Sequence, residues 1–462
     1  MLPVLKLGWL DVTIILGYLA FLLSIAWRTR RQAEGSEIDF LLAGRRLSLP
    51  AFIATLVSTW YGGILGVGEY SFLYGISNWL VFGVPYYLAA FIFAIFIARK
   101  ARNSEVLSIP DQLERAYGKA PAVFGASILF IVTVPAAYIL MLGLLLQAFF
   151  GGTLLLWLIV GALFSTVYVA FGGFKSVVRT DVIQFVLMFT GFVVLLSFAV
   201  VNYGGITFLQ ENIPKTHFQW HGGLHWSAIA VWYIIALATL VEPSFYQRCY
   251  AAKSPKIAKK GILLSILFWI IFDATTTFSG LYARAILSEN INPILSFPLL
   301  AQELLPVGIY GIFILSLIAI VMSTIDSYSF LAAQTLGRDI IQRIRNDSSN
   351  WNVKYVQYGL IASNAIAVVL AIWKESVVDL WHDLGSIGTP VLLLPLGLSL
   401  FRKSNLNGKA VFLSMILSCL VATFWIFYQS HTSDYPFGIR PIFAGLTTSI
   451  IVLLPSIILN RR

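Results

Sequence analysis

Residues 306–336 read PVGIYGIFILSLIAIVMSTIDSYSFLAAQTL, an apolar segment long enough to cross a bilayer that carries a carboxylate and several hydroxyl groups near its middle. Because an Asp at the bilayer centre costs about 2.5 to 3.5 kcal/mol even on a lenient scale, an intramembrane carboxylate indicates a functional site. Any single hydroxyl could simply bond to a carbonyl of its own helix, but a group of oxygens suits a small hard cation. At about 100° per residue, one helix face holds the carbonyl of Ile320 and the side chains of Ser323, Thr324, Asp326 and Ser327. The segment therefore predicts a cation site inside the membrane.

The composition of the chain is that of a polytopic membrane protein. Of its 462 residues, 58% are hydrophobic and only 11% are charged, whereas a soluble globular domain has about 25% charged residues. Apolar runs of about 18 to 25 residues predict transmembrane helices, so we expect an all-α fold. The two cysteines, Cys249 and Cys419, are too few and too far apart to suggest a disulfide framework.

Thirteen apolar runs are long enough to be transmembrane helices. By residue number they are 9–27, 50–74, 78–98, 121–150, 153–171, 181–201, 226–242, 261–286, 306–336, 355–373, 377–401, 409–428 and 440–459.

The placement of positive charge predicts how these spans are oriented. A net charge of +10 could indicate either a nucleic-acid partner or membrane topology. If the N-terminus is outside, the segments on the inside hold 26 of the 31 Lys and Arg residues. This bias follows the positive-inside rule and argues against nucleic-acid binding. We therefore predict a multi-pass protein of the cell membrane with its N-terminus outside and its C-terminus inside.

The second predicted span contains an interruption. The sequence TWYGG at 59–63 is followed by further glycines at Gly66, Gly68 and Gly75. These glycines could form a close-packing surface for a neighbouring helix, but the polar residues beside them favour a break that faces a cavity. A broken helix together with a cation-like face elsewhere is the pattern expected of secondary transporters built on inverted repeats.

Four motifs give the chain a family resemblance: DFLLAGRRLS at 39–48, GGFKSVVRTDVIQ at 172–184, QRCYAAKS at 247–254 and VMSTIDS at 321–327. In these motifs the chain resembles the sodium/solute symporter family, which holds sodium-coupled sugar, proline, sialic acid and choline transporters. The motifs recur in the family's order, and the resemblance covers nearly the whole chain. The resemblance implies a secondary active transporter, not an enzyme, that takes up a small organic solute by alternating access. It also implies a five-plus-five inverted repeat with a leucine-transporter type of core.

This organisation divides the chain into five parts. They are a first transmembrane helix with a basic cytoplasmic loop (1–49), a first five-helix repeat (50–201), an external loop (202–225), a second five-helix repeat (226–401) and two C-terminal transmembrane helices (402–462).

The resemblance further implies a sodium site between the second and ninth spans. Its ligands are the carbonyl oxygens of Leu56, Thr59 and Ile320 and the hydroxyls of Ser323 and Thr324. The helix face described above holds the last three of these positions independently of the resemblance. Sodium is then the coupling ion, and no organic cofactor is expected.

A second cation site is implied less directly. Some family members bind a second sodium ion through positions that match Asp181, Ser323, Asp326 and Ser327. Here one hydroxyl position is the carboxylate Asp326, as in the choline-transporter branch. Two nearby carboxylates could hold a cation, or they could share a proton because like charges oppose joint ionisation. Asp181 could alternatively cap the start of the sixth span.

The solute site implied by the resemblance lies beside the broken helix. Its positions are Ser58, Gly62, Gly63, Asn78, Ala238, Thr239 and Glu242. Trp60 and Tyr61 are added because aromatic faces can hold a quaternary ammonium group or a ring. Glycine at 62 and 63 replaces the polar side chains of the sugar transporters, which argues against a sugar, whereas choline-like cations fit TWYGG and the acidic residues.

Three other functions are consistent with the same residues. A proton shared by Asp181 and Asp326 could replace sodium, the protein could be a membrane sensor that binds solute without moving it, or it could be a passive channel. The pattern assigns no role to two other membrane carboxylates, Glu69 in the second span and Asp273 in the eighth.

Overall fold

Helices make up the regular structure of the protein. The computed structural model describes residues 5–33, 36–345, 352–374, 377–401, 406–432 and 434–459. Within these ranges every regular element longer than an isolated bridge is a helix, which confirms the all-α prediction. Four basic residues that contribute to the predicted orientation, Arg402, Lys403, Arg461 and Arg462, lie outside the described residues.

The helices of the first half of the chain are α1 (Trp9–Ala33), α2 (Glu37–Leu42), α3 (Leu49–Trp60), α4 (Ile64–Tyr74), α5 (Val84–Ile92), α6 (Ala98–Asn103), α7 (Ile109–Tyr117), α8 (Lys119–Thr133), α9 (Ala136–Phe150), α10 (Leu154–Tyr203) and α11 (Ile206–Asn212). Two π-helical segments, Trp79–Gly83 and Phe93–Ile97, flank α5 in the third span. Such wide turns often occur at functional sites.

The helices of the second half are α12 (Trp226–Ile235), α13 (Pro243–Ala251), α14 (Pro255–Ile286), α15 (Ser296–Leu304), α16 (Ile309–Gln334), α17 (Val353–Lys374), α18 (Val377–Phe401), α19 (Gly408–Thr432) and α20 (Pro441–Leu459). A 3₁₀ segment, Ala236–Val241, joins α12 to α13, and a π-helical segment, Thr335–Gln342, extends α16.

Most of these helices can cross a membrane. In the described part of the chain, ten helices are long and apolar enough to do so, and the bent pair of α3 and α4 adds one broken span. Two shorter apolar helices, Trp9–Ile25 and Leu154–Val167, coincide with the first and fifth predicted spans. The total of thirteen spans, the N-out orientation and the inverted repeat stay predictions.

The fifth and sixth spans are separate helices, as predicted, but the connection between them is shorter than the predicted loop. Within α10 two helices, Leu154–Val167 and Gly172–Tyr203 in their apolar parts, meet at a kink where Gly173 has a non-helical conformation (φ 59°, ψ −165°). Glycine adopts this positive φ readily, and a Cβ at this position would lie 2.8 Å from the carbonyl oxygen of Phe40. The chain therefore bends at a close contact instead of forming a loop. Asp181 lies well inside α10, so the alternative that it caps a helix start is wrong.

The interruption predicted in the second span is confirmed. Helix α3 ends at Trp60, α4 begins at Ile64 directly after Gly63, and the two helices are bent by 60°. Gly62 permits a close approach to α16, because a Cβ there would lie 2.5 Å from the Cβ of Thr324. The break therefore lies directly against the helix that carries the predicted cation face.

Helix α16 is enclosed by its neighbours, and nearly all of its side chains are buried. It packs against α1, α3 and α10. At its start, Oδ1 of Asp11 accepts hydrogen bonds from the backbone N–H groups of Gly308 at 2.8 Å and Gly311 at 2.9 Å. A carboxylate satisfies the amide groups that a helix start leaves unpaired and suits the positive end of the helix dipole. The helix is thus fixed to α1 as well as packed in the core.

A cluster of charged side chains joins the far end of α16 to α7. Arg338 pairs with Asp111 at 2.9 Å and with Asp339 at 2.5 Å, and it also contacts Glu37 of α2. Arg343 forms a second ion pair with Asp111. Burial raises the pKa of Asp111 and the guanidinium groups of Arg338 and Arg343 lower it, with the net shift below its usual value. These contacts tie together three separate helices on the predicted cytoplasmic side.

Candidate functional site

The end of α3 and the middle of α16 share a direct polar contact. The hydroxyl of Thr324 donates to the carbonyl oxygen of Thr59 at 2.8 Å and lies 3.5 Å from the carbonyl oxygen of Ile320. Thr59 is in the last turn of α3, where a helix leaves carbonyl groups without intrahelical partners. Leu56 lies buried one turn earlier. The structure thus brings ligand positions of the second and ninth spans together at the helix break.

Asp181 of α10 extends this group of oxygens on the other side of Ser323. The hydroxyl of Ser323 donates to Oδ1 of Asp181 at 2.6 Å and lies 3.0 Å from the hydroxyl of Ser58. Thr55 donates to Oδ2 of the same carboxylate. All four side chains are inaccessible to solvent. The sequence prediction placed Ser58 in the solute site, whereas the structure places its side chain in this hydroxyl cluster.

The chemistry of these groups suits sodium. Carbonyl, hydroxyl and carboxylate oxygens are hard ligands, which bind small hard cations without imidazole or thiolate. No group of three or more His, Cys, Asp or Glu side chains that could hold a metal ion occurs among the described residues. The cluster therefore fits a singly charged hard cation better than a transition metal.

A buried arginine, which the charge count assigns to a cytoplasmic loop, lies against the cluster. Arg248 of α13 is inaccessible, and its Nη2 atom lies 3.7 Å from Oδ2 of Asp181. The same nitrogen hydrogen bonds with the hydroxyls of Ser327 at 2.7 Å, Thr59 at 2.9 Å and Thr55 at 3.1 Å. Arg248 stands early in the QRCYAAKS motif, before the run of lysines, and this separation is the signal in the sequence that could have identified it as a site residue.

Asp326 points towards a different neighbour from the one predicted. Its Oδ1 accepts a hydrogen bond from Ser165, in the first part of α10, at 2.8 Å. Its Oδ2 has no hydrogen-bond partner among the described residues. Asp181 instead bonds to Ser323 and Thr55. The two carboxylates share no hydrogen bond, so this geometry does not support the prediction that they hold one proton or one cation between them.

Trp60 lies in a cluster of aromatic rings at the helix break. Its ring centroid is 5.2 Å from that of Trp269 in α14, 5.5 Å from that of Tyr86 in α5 and 5.6 Å from that of Phe245 in α13. Four separate helices therefore contribute rings to one place, as we expect for a site beside the broken span.

The other predicted solute residues lie on several different elements. Asn78 donates to Thr277 of α14 at 2.9 Å. Ala238 and Thr239 lie in the 3₁₀ segment before α13, which packs against α5. Glu242 caps the start of α13 and accepts a hydrogen bond from a tyrosine hydroxyl of α16 at 3.0 Å.

Asp273 has well-defined partners that the sequence does not reveal. Its Oδ1 accepts a hydrogen bond from Tyr61 at 2.9 Å, and its Oδ2 accepts one from Tyr87. Tyr61 thus faces α14 from the helix break. Glu69, the other carboxylate without an assigned role, is half-buried in α4.

A comparison with known families decides the class of the protein. The model of the sodium:solute symporter family matches residues 40–418. The chain belongs to this family. The symporter is 23% identical to the sodium/pantothenate symporter of Escherichia coli (strain K12), with 96% of each chain covered. It is 26% identical to the high-affinity choline transporter 1 of Drosophila melanogaster, covering 86% of this chain and 67% of that protein.

The fold of the symporter also has a solved counterpart. A structure of a Na⁺-coupled sialic acid symporter in a substrate-bound, outward-open state superimposes with a TM-score of 0.80, and 98% of both chains is covered. At 18% identity this similarity concerns the fold alone. Family membership confirms that the symporter is a multi-pass integral membrane protein and a transporter, not an enzyme, and that sodium is the coupling ion for uptake of a solute.

Proposed function

We propose that the symporter binds its coupling sodium ion at the break in the second span. The ligands are the carbonyl oxygens of Leu56, Thr59 and Ile320 and the hydroxyls of Ser323 and Thr324. The 2.8 Å contact between the hydroxyl of Thr324 and the carbonyl oxygen of Thr59 is the observation that carries this proposal. It joins two ligand groups from different spans, both inside the membrane, where unused oxygen atoms are costly.

The position of this site next to Trp60 and Tyr61 suggests how sodium and solute are coupled. Bound sodium supplies a positive charge to which the surrounding oxygens are attracted. Thr59 and Thr324 then hold the end of α3 against α16, and the two aromatic residues that follow Thr59 are positioned at the solute site. Each ligand therefore favours the same arrangement of the break. Linkage requires that sodium raises the affinity for solute by the same factor as solute raises the affinity for sodium.

The position of Arg248 supports a stoichiometry of one sodium ion per solute molecule, not two. Its guanidinium group lies 3.7 Å from Asp181 and hydrogen bonds with Ser327, two of the groups predicted to hold a second ion. The positive charge that this buried carboxylate requires is supplied by the protein itself. Parallel measurement of sodium and solute fluxes into proteoliposomes should give equal amounts of the two.

The sodium site is tested by thermal stability in detergent. The melting temperature is measured against NaCl, with ionic strength held constant by KCl, for the wild type and for Ser323→Ala/Thr324→Ala. Binding to the folded state at a hundred times the dissociation constant adds about 2.7 kcal/mol of stability, so a sodium-specific rise is expected. The double variant should lose that rise.

A matched control removes one serine and one threonine hydroxyl elsewhere. Among the described residues, Ser197 and Thr448 each donate only to a carbonyl of their own helix, at 2.7 Å and 2.9 Å. Ser197→Ala/Thr448→Ala should keep the full sodium response. If the Ser323→Ala/Thr324→Ala variant also keeps it, the ion binds elsewhere and the proposal fails.

Transport assays separate the proposal from its alternatives. A sodium gradient should drive accumulation of labelled solute in proteoliposomes, and counterflow should be saturable. Accumulation driven by a pH gradient without sodium would instead favour proton coupling. Binding of solute without counterflow would favour a sensor, and uptake that does not saturate would favour a channel.

A further inference from the structure

Asp273 is a buried carboxylate that the proposed sodium site does not use. It is 5% exposed and lies in the middle of α14. Both of its oxygens accept hydrogen bonds from tyrosines, Tyr61 at 2.9 Å and Tyr87. Within the described residues it forms no ion pair with Lys or Arg. An intramembrane carboxylate without a basic partner indicates that its charge serves a ligand.

An aromatic cage lies one helical turn from this carboxylate. The cage consists of Trp60, Tyr86, Phe245 and Trp269. Trp269 precedes Asp273 by four residues, so the two side chains lie on the same face of α14. The hydroxyl of Tyr61, which donates to Asp273, is also 3.1 Å from the carbonyl oxygen of Trp269. The rings of the cage meet at interplanar angles of 35° to 73°, so both faces and edges of the rings are presented within the cluster.

Buried polar atoms of the cage and of the predicted solute residues have no partners within the described part of the chain. They are Nε1 of Trp269, Oδ1 of Asn78 and Oγ1 of Thr239, and each residue is at most 2% exposed. Asn78 is followed directly by the π-helical segment that leads towards Tyr86, and the 3₁₀ segment of Thr239 packs against α5. Buried polar atoms normally have hydrogen-bond partners, so this group indicates a ligand with polar atoms of its own.

We propose that the solute of this symporter is an organic cation whose methylated ammonium group lies in the aromatic cage and whose charge is balanced by Asp273. This inference rests on the proposed function, because it places the solute beside the sodium-dependent break. Aromatic faces attract cations, and cages of aromatic rings recognise quaternary ammonium groups. The carboxylate supplies the counter-charge that the rings lack.

Other ligands fit this site less well. A sodium ion requires several oxygen ligands, but the neighbours here are rings and two tyrosines that direct their protons at Asp273. An anionic solute would bring a like charge to the carboxylate. A neutral solute would leave the buried charge of Asp273 unbalanced. Glu242, three residues before Phe245 on the cage, adds a second negative charge and makes a cation the only charge type that both carboxylates favour.

Tyr61 connects the cation site to the sodium site. It donates to Asp273 on α14, and the next residue, Gly62, contacts Thr324 on α16. A solute that occupies the cage therefore acts on the same few residues of the break that sodium acts on. This arrangement gives the two ligands a shared element through which to influence each other.

The central comparison of the test is between choline and its carbon isostere, which differ only in charge. Tetramethylammonium, choline and the uncharged carbon isostere of choline, which has a tert-butyl group in place of the trimethylammonium group, are added to the purified symporter in NaCl. The melting temperature should rise with the two cations and not with the isostere. Proline, glucose and pantothenate serve as zwitterionic, neutral and anionic probes and should have no effect.

Substitutions then assign the charge. Asp273→Asn and Trp60→Leu should each weaken the response to tetramethylammonium by at least about tenfold, while both keep the sodium-dependent rise in melting temperature that reports an intact fold. Glu303→Gln, which removes an exposed carboxylate on α15, should change neither response. Tyr87→Phe removes one donor to Asp273 and provides a milder change if Asp273→Asn does not fold.

The outcomes distinguish this inference from the proposed function. The inference is overturned if no ammonium probe stabilises a protein that still responds to sodium, if the isostere binds as well as choline, or if a non-cationic probe binds with no effect of Asp273→Asn. Loss of the sodium response in the wild type would instead refute the sodium site.

Discussion

The buried pair of Arg248 and Asp181 provides the sharpest prediction about the core of the symporter. Both side chains are fully buried, and the closest charged atoms are 3.7 Å apart. At an effective dielectric constant of about 20, two unit charges at this distance attract each other by about 4.5 kcal/mol. Hydroxyl groups of α3 and α16 form hydrogen bonds with both residues. Removing one partner therefore leaves an uncompensated charge inside the membrane.

We expect Arg248→Met and Asp181→Asn each to lower the free energy of unfolding by roughly 3 to 5 kcal/mol. The double variant leaves no unpaired charge, so it should be less destabilised than the sum of the two single variants by about 2 to 3 kcal/mol. The free energies come from equilibrium unfolding in mixed micelles, followed by tryptophan fluorescence.

A surface pair is the matched control for this cycle. Arg284 and Glu289 form an ion pair at 2.5 Å, but the side chain of Glu289 is 77% exposed. Solvent screens such a pair, so the equivalent cycle should show a coupling of less than about 1 kcal/mol. If the cycle for Arg248 and Asp181 is also additive within error, the two charges do not compensate each other and the argument for one sodium ion per solute loses its basis.

Three further predictions follow from close contacts and shifted pKa values. Gly62→Ala would place a Cβ 2.5 Å from Thr324, so we expect a loss of about 1 to 3 kcal/mol of stability and a smaller sodium-dependent rise in melting temperature. Gly66→Ala is the control, because a Cβ there would have nothing within 4 Å, and it should preserve both the stability and the sodium response. Burial lowers the pKa of His217 below its ordinary value, so the unfolded chain binds the proton more readily than the folded protein. The melting temperature should therefore decrease as the pH falls below about 6.5. His217→Gln should reduce this dependence of the melting temperature on pH, and an unchanged dependence would contradict the role given to His217. Asp111→Asn removes a carboxylate held between two guanidinium groups and should lower the free energy of unfolding by about 1.5 to 3 kcal/mol. Because the pKa of Asp111 lies below its usual value, this difference from the wild type should persist at neutral pH. It should disappear as acid protonates the wild-type carboxyl.

The sequence alone predicts those features that depend on residues adjacent in the chain. The apolar runs, the interruption at TWYGG and the family motifs are all local, and hydropathy and backbone preference determine them directly. One boundary is wrong for a local reason of its own. The polar residues of GGFKSVVRTD indicate a loop, but Gly173 allows a sharp kink against Phe40 and the next helix begins there.

The candidate site is only partly contained in the sequence. The helical period places Ser323, Thr324 and Asp326 on neighbouring positions of one helix, but it does not say which helix each side chain will meet. In the structure the first two meet the second span and Asp181, whereas Asp326 meets Ser165. The two carboxylates share no hydrogen bond, and their joint action stays a prediction.

The sequence by itself determined that this protein is an all-helical membrane transporter with a broken span and an oxygen-rich helix, because a lipid environment imposes apolar length and internal hydrogen bonding on every span. Only the tertiary structure decided that Arg248 neutralises Asp181 and that Asp273 lies beside an aromatic cage. Those pairings join residues tens to hundreds of positions apart. They exist because packing brings particular helix faces together, and a buried charge must find its partner among whichever groups that packing supplies.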